Sequence, residues 1–458
     1  MSAMQWRIWW LAAAGKFFEG MVVFMTGVAM PLIEREFHLT ELQRGVVGAA
    51  ALFGILVGAT ALGGLSDRLG RRKMFIGEMV IFNVFLILVA LSPGVAWLVL
   101  CLFGLGMALG CDYPTAHLVI SENIPTRFRG RLVLSAFGFQ AVGALAGTAV
   151  GFIILKVDMS VSDWRLMYAS AIIPAMIVLA GRFFTTQSPH WLVTQGRIEE
   201  AERELMKLLS RAPQYPSEII LSKSVEVADH EDRKTPSLAK LFKKKNRRAT
   251  ILASFPWFLQ DLSTYGIGIF TPTILAATVG MTSAAPKNLS ELIYNDMIAA
   301  KGAAAIDALL IIGIMAAIYL ADSMGRIRLQ IIGFFGCAAG LAIAASSTHF
   351  IGPTKMALIF SGFMLFNFMT NMGPNAMTYL LAGEVFPTKI RGVGAGFAAS
   401  FAKVGAVLTA FLFPLLLKCL GTQNLLLMLA GASIIGAAIT WFFRIETNGV
   451  SLEKIGSE

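Results

Sequence analysis

Two short basic loops repeat in the chain, and each follows a long apolar run. The first is Asp67-Arg68-Leu69-Gly70-Arg71-Arg72-Lys73, and the second is Asp322-Ser323-Met324-Gly325-Arg326-Ile327-Arg328. A further pair of loops recurs in the same order, Glu122-Asn123-Ile124-Pro125-Thr126-Arg127-Phe128-Arg129-Gly130 and Glu384-Val385-Phe386-Pro387-Thr388-Lys389-Ile390-Arg391-Gly392. Because both pairs recur at nearly the same offset, we predict that the two halves of the chain share one architecture.

The composition is that of a membrane protein. Of 458 residues, 56% are hydrophobic and only 14% are charged, against roughly 25% charged residues in soluble domains. About 20 apolar residues cross a bilayer as a helix. The sequence therefore predicts an all-α membrane protein with twelve transmembrane helices in two pseudo-symmetric six-helix bundles. The expected spans are 8–33, 43–65, 74–93, 96–120, 132–155, 165–186, 248–278, 303–321, 329–347, 355–383, 393–419 and 422–444.

The basic residues indicate how the chain is oriented. The net charge of +10 comes from Lys and Arg in short loops beside apolar runs, which is typical of membrane orientation and not of nucleic-acid binding. Basic loops face the cytoplasm, so both termini are expected there, in a multi-pass plasma membrane protein, such as one of a bacterial inner membrane. We predict an N-terminal bundle at 1–186, a cytoplasmic linker with short helices at 187–247 and a C-terminal bundle at 248–458.

Five charged residues lie well inside apolar runs: Lys16, Glu19, Asp112, Asp261 and Lys403. A charge at the bilayer centre costs roughly 2.5–3.5 kcal/mol on insertion scales. Such charges usually face a bundle interior or a wet cavity and mark a substrate or proton path. Repeated six-helix halves around a central site describe many secondary transporters. The chain is therefore predicted to be a transporter.

The segment Gly64–Lys73 resembles the loop signature of the major facilitator superfamily. The physical logic of such loops is a cytoplasmic latch, since breaking and remaking ion pairs biases which side is open. Gly70 allows a sharp turn, and Asp67 can pair with arginines or lie at a helix start. We predict a cytoplasmic gate made of Asp67, Arg71, Glu122, Arg129, Asp322, Arg326, Glu384 and Arg391.

The ends of both halves resemble signatures of the sugar porters within that superfamily. Gln187-Ser188-Pro189-His190-Trp191-Leu192 is similar to the signature after span six, and Glu446–Glu453 is similar to the C-terminal one. The chain departs from the first signature at Gln187 and His190, where the family usually has Glu and Arg. This departure weakens one cytoplasmic salt bridge and leaves the expected fold unchanged.

Within this group the motifs are closest to those of the phosphate:proton symporters. Gly110-Cys111-Asp112-Tyr113-Pro114 is similar to their Gly-Gly-Asp-Tyr-Pro signature, and Glu19 lies near their acid in span one. Their second acid there is Val22 in this chain, and Lys16 is an added cation. The resemblance also covers polar positions in spans five, seven, ten and eleven, namely Gln140, Trp257, Asp261, Tyr265, Asn375 and Lys403.

The chemistry of these residues suits proton-coupled anion transport. An anion crossing lipid needs a fixed cation and hydrogen-bond donors, and Lys403 supplies the charge. The predicted substrate-binding residues are Lys403, Tyr113, Gln140, Trp257, Tyr265, Asn375 and Lys16. Proton coupling needs carboxylates whose affinity for protons changes with access, and we assign this role to Asp112, Glu19 and Asp261.

The leading interpretation is a proton-coupled symporter that imports a small polar solute, such as phosphate or an organic acid, by alternating access. The alternative is symport of a sugar or another neutral metabolite, although sugar porters have a double Gln where this chain has Gln260-Asp261. A drug exporter, a non-transporting sensor, a channel and an enzyme are less favoured, because the signatures of those classes are missing. We expect a monomer in the lipid bilayer that binds substrate and protons, without a cofactor, a metal or nucleic acid.

Overall fold

The computed structural model describes residues 1–62, 69–157, 160–210, 219, 238–279, 289–387 and 390–447. Every regular element in these residues is helical. The helices of the first half are α1 (Ala3–Phe37), α2 (Glu41–Val57, continued by a π-turn at Gly58–Leu62), α3 (Arg71–Ala90), α4 (Val95–Asn123), α5 (Thr126–Val157), α6 (Asp163–Ser170) and α7 (Ile172–Phe183). Two short helices follow, α8 (Pro189–Thr194) and α9 (Ile198–Leu209).

The second half begins with a short 3₁₀ turn at Leu238–Phe242. Its helices are α10 (Lys244–Val279), α11 (Leu289–Met324), α12 (Arg326–Ser346), α13 (Gly352–Met372), α14 (Pro374–Glu384) and α15 (Arg391–Phe442). Within α15 the backbone is non-helical at Gly421, with φ 74°. This break separates the two spans that the sequence predicts at 393–419 and 422–444.

Ten helical stretches of the described chain are long and apolar enough to cross a membrane, and the last of them, Val393–Phe442, contains both spans that meet at Gly421. Helix α10 is 36 residues long but does not meet the same standard of hydropathy. Buried polar residues, among them Gln260, Asp261 and Thr264, interrupt its apolar sequence. The all-α fold of two six-helix bundles is confirmed.

Several helix boundaries differ from the sequence prediction, most of all the start of α11. Helix α11 begins at Leu289 and not at 303, because its first turns carry Ser290, Glu291 and Asp296 and so lack an apolar signal. Helix α10 begins at Lys244, inside the stretch 187–247 that was predicted as a cytoplasmic linker. In both cases the helix continues beyond the hydrophobic run that hydropathy detects.

Gly70 and Gly325 occupy equivalent positions in the two halves. Gly70 has φ 93° and ψ 148°, and Gly325 has φ 84° and ψ 152°. This left-handed region favours glycine, and each glycine precedes a helix, α3 or α12. Gln187 Oε1 accepts the N–H of Arg72 at 2.9 Å, and Glu446 Oε2 accepts the N–H of the equivalent Ile327 at 3.3 Å. Glu446 Oε1 also accepts the N–H of Arg326 at 3.1 Å. The repeated loops therefore share a backbone conformation and a side-chain cap.

The side chain that caps α3, Gln187, is neutral, whereas the one that caps α12, Glu446, carries a negative charge. Replacing Gln187 with glutamate is expected to raise the free energy of unfolding by about 0.3–1 kcal/mol, because an anion at a helix N-terminus interacts favourably with the helix dipole. Glu446→Gln is the matched change in the other half and is expected to lower it by a similar amount. Thermal unfolding in detergent measures both, and equal midpoints for Gln187→Glu and wild type would contradict the expectation.

We call the side of the molecule where α1 begins and α15 ends the terminal side, and the opposite side the distal side.

Helices α1 and α5 approach closely inside the first half. A Cβ on Gly20 would overlap the carbonyl oxygen of Gln140, and a Cβ on Gly143 would overlap that of Phe17. Small residues permit such backbone contact between membrane helices. This packing places Glu19 of α1 beside Gln140 of α5.

Candidate transport site

A buried ion pair lies at the centre of the second half. Lys403 Nζ on α15 is 3.0 Å from Asp261 Oδ2 on α10 and donates to the Tyr265 hydroxyl at 2.7 Å. Asp261 and Tyr265 are four residues apart, so one face of α10 presents both. Trp257, one turn before Asp261, is buried and packs edge-on against the ring of Tyr379. Of the three residues predicted in span seven, Asp261 and Tyr265 therefore meet at Lys403.

Glu19 extends this pair into the first half. Its Oε1 accepts hydrogen bonds from Gln140 Nε2 and from the Tyr265 hydroxyl, each at 3.1 Å, and lies 3.9 Å from Lys403 Nζ. Its Oε2 lies 3.1 Å from Lys16 Nζ. Gln140 also donates to Tyr265 at 3.0 Å. Side chains of both halves thus form one hydrogen-bonded cluster, which we call the charge cluster: Lys16, Glu19, Gln140, Asp261, Tyr265 and Lys403.

The charge cluster is buried and electrically balanced. Exposed fractions are 4% for Lys16, 1% for Glu19, 1% for Asp261 and 3% for Lys403. Two ammonium groups face two carboxylates, so the formal charge is zero when all four are ionised. Removing one member of a buried pair leaves an uncompensated charge, which typically costs 3–5 kcal/mol. Any change of protonation or of bound ligand therefore alters the balance that holds the halves together here.

A cavity of about 20 Å³ adjoins the charge cluster, which is room for about one water molecule. Its wall is uncharged and is contributed by both halves: Phe24, Gln140, Ala141, Ala144, Thr264, Tyr265, Leu310, Asn371 and Asn375. Asn375 Nδ2 donates to Asn371 Oδ1 at 2.6 Å. Asn375, predicted from its motif, thus lies in the same wall as Gln140 and Tyr265. In this conformation the space is too small for an organic solute.

Asp112 belongs to a second buried cluster that the sequence analysis missed. Arg182 on α7 lies 2.9 Å from Asp112 Oδ1 and 2.6 Å from Glu78 Oε1. It also donates to the carbonyl of Phe75 at 2.6 Å and to that of Leu11 at 3.3 Å. Arg182 is 0% exposed. The signal for this cluster in the sequence is an arginine inside the predicted span 165–186.

The two clusters lie close together in the first half. Lys16 interacts electrostatically with Glu19 and also with Asp112. The carboxylate of Asp112 packs against α1, because a Cβ on Gly15 would overlap its oxygens. Asp112 is therefore held by Arg182 and faces Lys16, and it makes no direct ion pair with Lys403 in the structure. The predicted site residue Tyr113 has a side chain outside the described part of the chain.

Ion pairs on the terminal side repeat in the two halves. Arg71 on α3 bonds to Glu122 at 3.1 Å, and Arg326 on α12 lies 3.5 Å from Glu384. Arg326 also pairs with Asp322 at 3.1 Å. Five of the eight predicted gate residues therefore form the expected type of pair. Asp67 lies outside the described residues, as do the side chains of Arg129 and Arg391.

The two halves touch on both the terminal and the distal side of the cavity. On the terminal side, the rings of Phe137 on α5 and Tyr379 on α14 stack with centroids 4.4 Å apart. On the distal side, Gly45 on α2 touches the backbone of Phe411 on α15, so that even a Cβ would overlap. The backbones of α2 and α15 are thus in direct contact on the distal side, whereas aromatic side chains connect the halves on the terminal side.

Among the residues that the structure describes, no group of three or more His, Cys, Asp or Glu side chains is arranged to hold a metal ion. The ionisable groups of the site are instead arranged as Lys–carboxylate and Arg–carboxylate pairs. Such pairs can exchange protons and bind charged or hydrogen-bonding solutes.

Two helical bundles enclose buried charges at the centre of the molecule. This arrangement is that of a secondary membrane transporter with the major facilitator fold. The family described as "Sugar (and other) transporter" matches residues 9–458, and the chain belongs to it. The members of this family are transporters and not enzymes.

Individual relatives have different solutes in their names. The chain is 28% identical to the putative metabolite transport protein YaaU of Escherichia coli K12, over 99% of this chain and 95% of the relative. It is 27% identical to the probable inorganic phosphate transporter 1-6 of Arabidopsis thaliana, over 90% and 84%. A structure of the proton:xylose symporter XylE of E. coli matches with a TM-score of 0.75 and 20% identity, over 99% and 98%, and supports the fold alone.

Proposed function

We propose that the protein is a proton-coupled symporter that imports a small polar anion, such as phosphate or an organic acid. One observation carries the proposal: Lys403 of the second half bonds to Asp261 and Tyr265 and faces Glu19 of the first half. The proposal includes two bundles at 1–186 and 248–458, a linker at 187–247, and a cytoplasmic location for the linker and both termini. The halves rock about the charge cluster in alternating access.

Charge balance explains how a proton and an anion become coupled. With all four groups ionised the cluster is neutral, so an added anion meets no net attraction. Protonation of Glu19 leaves Lys16, Lys403 and Asp261 with a net charge of +1, which favours an anion. Loss of the proton on the other side restores neutrality and expels the anion. Glu19 suits this role because its bonds to Tyr265 and Lys403 cross between the halves and must change when the halves move.

Asp112 and Glu78 are proposed to relay protons towards the charge cluster. Both carboxylates share Arg182, and Asp112 also interacts with Lys16. Like charges at one cation disfavour double ionisation, so a proton that arrives here is retained until the pairing changes. The path from Asp112 to Glu19 passes along α1, where Lys16 lies beside both carboxylates.

One observation favours a second candidate, symport of a neutral metabolite such as a sugar. The cavity wall contains amides and hydroxyls, including Gln140, Asn371, Asn375 and Thr264, but no side chain with a formal charge. Amide and hydroxyl groups donate and accept hydrogen bonds, as polyol recognition requires. The charge cluster would then serve only the proton. A binding experiment on Lys403 separates the two candidates.

Replacing Lys403 with glutamine is expected to weaken anion binding by at least about tenfold, a loss of about 1.4 kcal/mol, because it removes the ammonium that lies between Asp261 of one half and Glu19 of the other. A neutral sugar should lose less than about threefold, which is about 0.6 kcal/mol. Thermal shift of the purified protein with phosphate, succinate and xylose measures both, since a ligand of the folded state raises its apparent stability. Equal losses for anion and sugar would support the neutral candidate.

Two control variants separate the loss of anion binding from a loss of stability. Lys403→Gln also leaves Asp261 without its ammonium, so the double variant Lys403→Gln with Asp261→Asn should recover stability but not anion binding. Lys418→Gln removes a lysine that is 70% exposed on the distal side and should bind like wild type.

Reconstituted wild-type protein should acidify the vesicle lumen when its anion is added outside. Uptake without proton movement would refute the coupling.

A further inference from the structure

Asp307 is a buried carboxylate that the charge cluster does not use. It lies on α11 and is 3% exposed. Asn367 Nδ2 on α13 donates to its Oδ1 at 3.2 Å, while its Oδ2 is buried and has no hydrogen-bond partner. Thr148 on α5 faces it from the first half. The carboxylate therefore lies where α11 and α13 of one half meet α5 of the other.

The position of Asp307 relative to the cavity follows from helix geometry. On α11, Asp307 lies three residues before Leu310, which lines the cavity. On α13, Asn367 lies four residues before the cavity-lining Asn371, and on α5, Thr148 lies four residues after the cavity-lining Ala144. All three offsets point towards the distal side, and one helical turn rises about 5.4 Å. Asp307 thus lies one turn beyond the cavity wall, on the distal side. Asn371 and Asn375 continue the polar line into the cavity.

No charge in the described residues compensates an ionised Asp307. The side chains that contact it, Asn367 and Thr148, are uncharged. On helices packed against α11, the buried charged groups Lys16, Glu19 and Asp261 pair within the charge cluster, and Lys355 on α13 lies at the distal end. A buried unpaired carboxylate costs several kcal/mol when ionised. The protonated acid is therefore the form that fits this closed conformation.

We infer that Asp307 is a second proton-binding site, which takes up a proton when the distal side opens and holds it while that side is closed. This inference rests on the proposed proton coupling and adds a carboxylate of the second half to those assigned above. When the halves part on the distal side, Thr148 moves away from Asp307 and water reaches the carboxylate. Ionisation is then possible, and reclosure requires that the proton be rebound. The site links closure to protonation independently of Glu19.

Asp307→Asn is the test variant, because asparagine keeps the shape and can still bond to Asn367 but cannot titrate. Infrared spectra of the full chain in lipid should contain a protonated carboxyl band that is lost in Asp307→Asn and unchanged in Asp322→Asn, whose carboxylate is 49% exposed. Identical carboxyl bands in wild type and Asp307→Asn would overturn the inference. Should Asp307→Asn not fold, Asn367→Leu serves instead, since loss of the amide donor should shift the same band.

A transport measurement adds a functional readout. With inorganic phosphate as the probe, a pH-sensitive dye inside vesicles reports protons moved per phosphate. Asp307→Asn should lower this ratio by one, and Glu199→Gln on α9, where the side chain is 88% exposed, should leave it at the wild-type value. An unchanged ratio for Asp307→Asn refutes the inference. Wild-type phosphate uptake without protons instead refutes the proposed coupling, while the infrared bands still decide whether Asp307 holds a proton.

Discussion

Replacing Arg182 with methionine is expected to lower the free energy of unfolding by about 3–5 kcal/mol. The guanidinium bonds to Glu78 and Asp112 at once and is 0% exposed. Its removal leaves two carboxylates side by side in an apolar bundle, together with the freed carbonyls of Phe75 and Leu11. Chemical unfolding of the purified protein in detergent gives the change, and unfolding identical to that of wild type would show that the cluster is not a structural element.

Two further variants separate charge from packing. Arg182→Met combined with Glu78→Gln and Asp112→Asn should recover most of the lost stability, because buried ion clusters are often replaceable by uncharged groups of similar volume. Arg203→Met on α9 is the matched surface change, since Arg203 is 75% exposed and 3.7 Å from Glu199. An exposed pair contributes about 0–1 kcal/mol. If the triple variant stays as unstable as Arg182→Met, lost packing and not unpaired charge is the cause.

Replacing Gly45 with tryptophan is expected to abolish net transport while leaving the protein folded. Gly45 on α2 touches the backbone of Phe411 on α15, and only glycine permits helices to approach this closely. An indole at this position keeps the halves apart on the distal side, so the carrier cannot pass through its closed state. Uptake by reconstituted vesicles should fall to background, and exchange of labelled solute should be lost with it.

Accessibility of the cavity tests the same variant directly. With the exposed Cys419 changed to serine, a cysteine at the cavity-lining position Thr264 should react with a membrane-impermeant thiol reagent from the distal side faster in Gly45→Trp than in the wild-type background. Gly77→Trp is the control, because a Cβ on Gly77 meets nothing within 4 Å. Transport at the wild-type rate by Gly45→Trp would show that the close contact is dispensable.

The Arg182 and Gly45 variants change contacts at two different places. Arg182 bonds to carboxylates within the first half, whereas Gly45 and Phe411 make contact between the halves. Glu19 lies between them, bonded to Lys16 in its own half and to Tyr265 in the other. In the proposed mechanism, a proton on Glu19 weakens the bond between the halves and changes the charge that a solute meets. The proposal thus couples proton binding and opening at one side chain.

Sequence reasoning was reliable where the signal is local. Apolar runs of about 20 residues predict membrane helices because the bilayer leaves few alternatives, and the repeated loops predict two related halves. Buried charges such as Glu19 and Lys403 were visible for the same reason, since each is costly in lipid. Helix α11 was cut short because Glu291 and Asp296 mask a helical segment that tertiary packing stabilises.

The sequence by itself determined the helical class, the duplicated architecture and the charged residues, because desolvation penalises each charge in an apolar run wherever the helix packs. Only the tertiary structure decided which charges meet. It joined Lys403 to Asp261 and Glu19, gave Asp112 to Arg182, and left Asp307 without a cation, because ion pairing depends on distances of a few ångströms between helices remote in sequence. Helix rotation and crossing set those distances, and no local pattern encodes them.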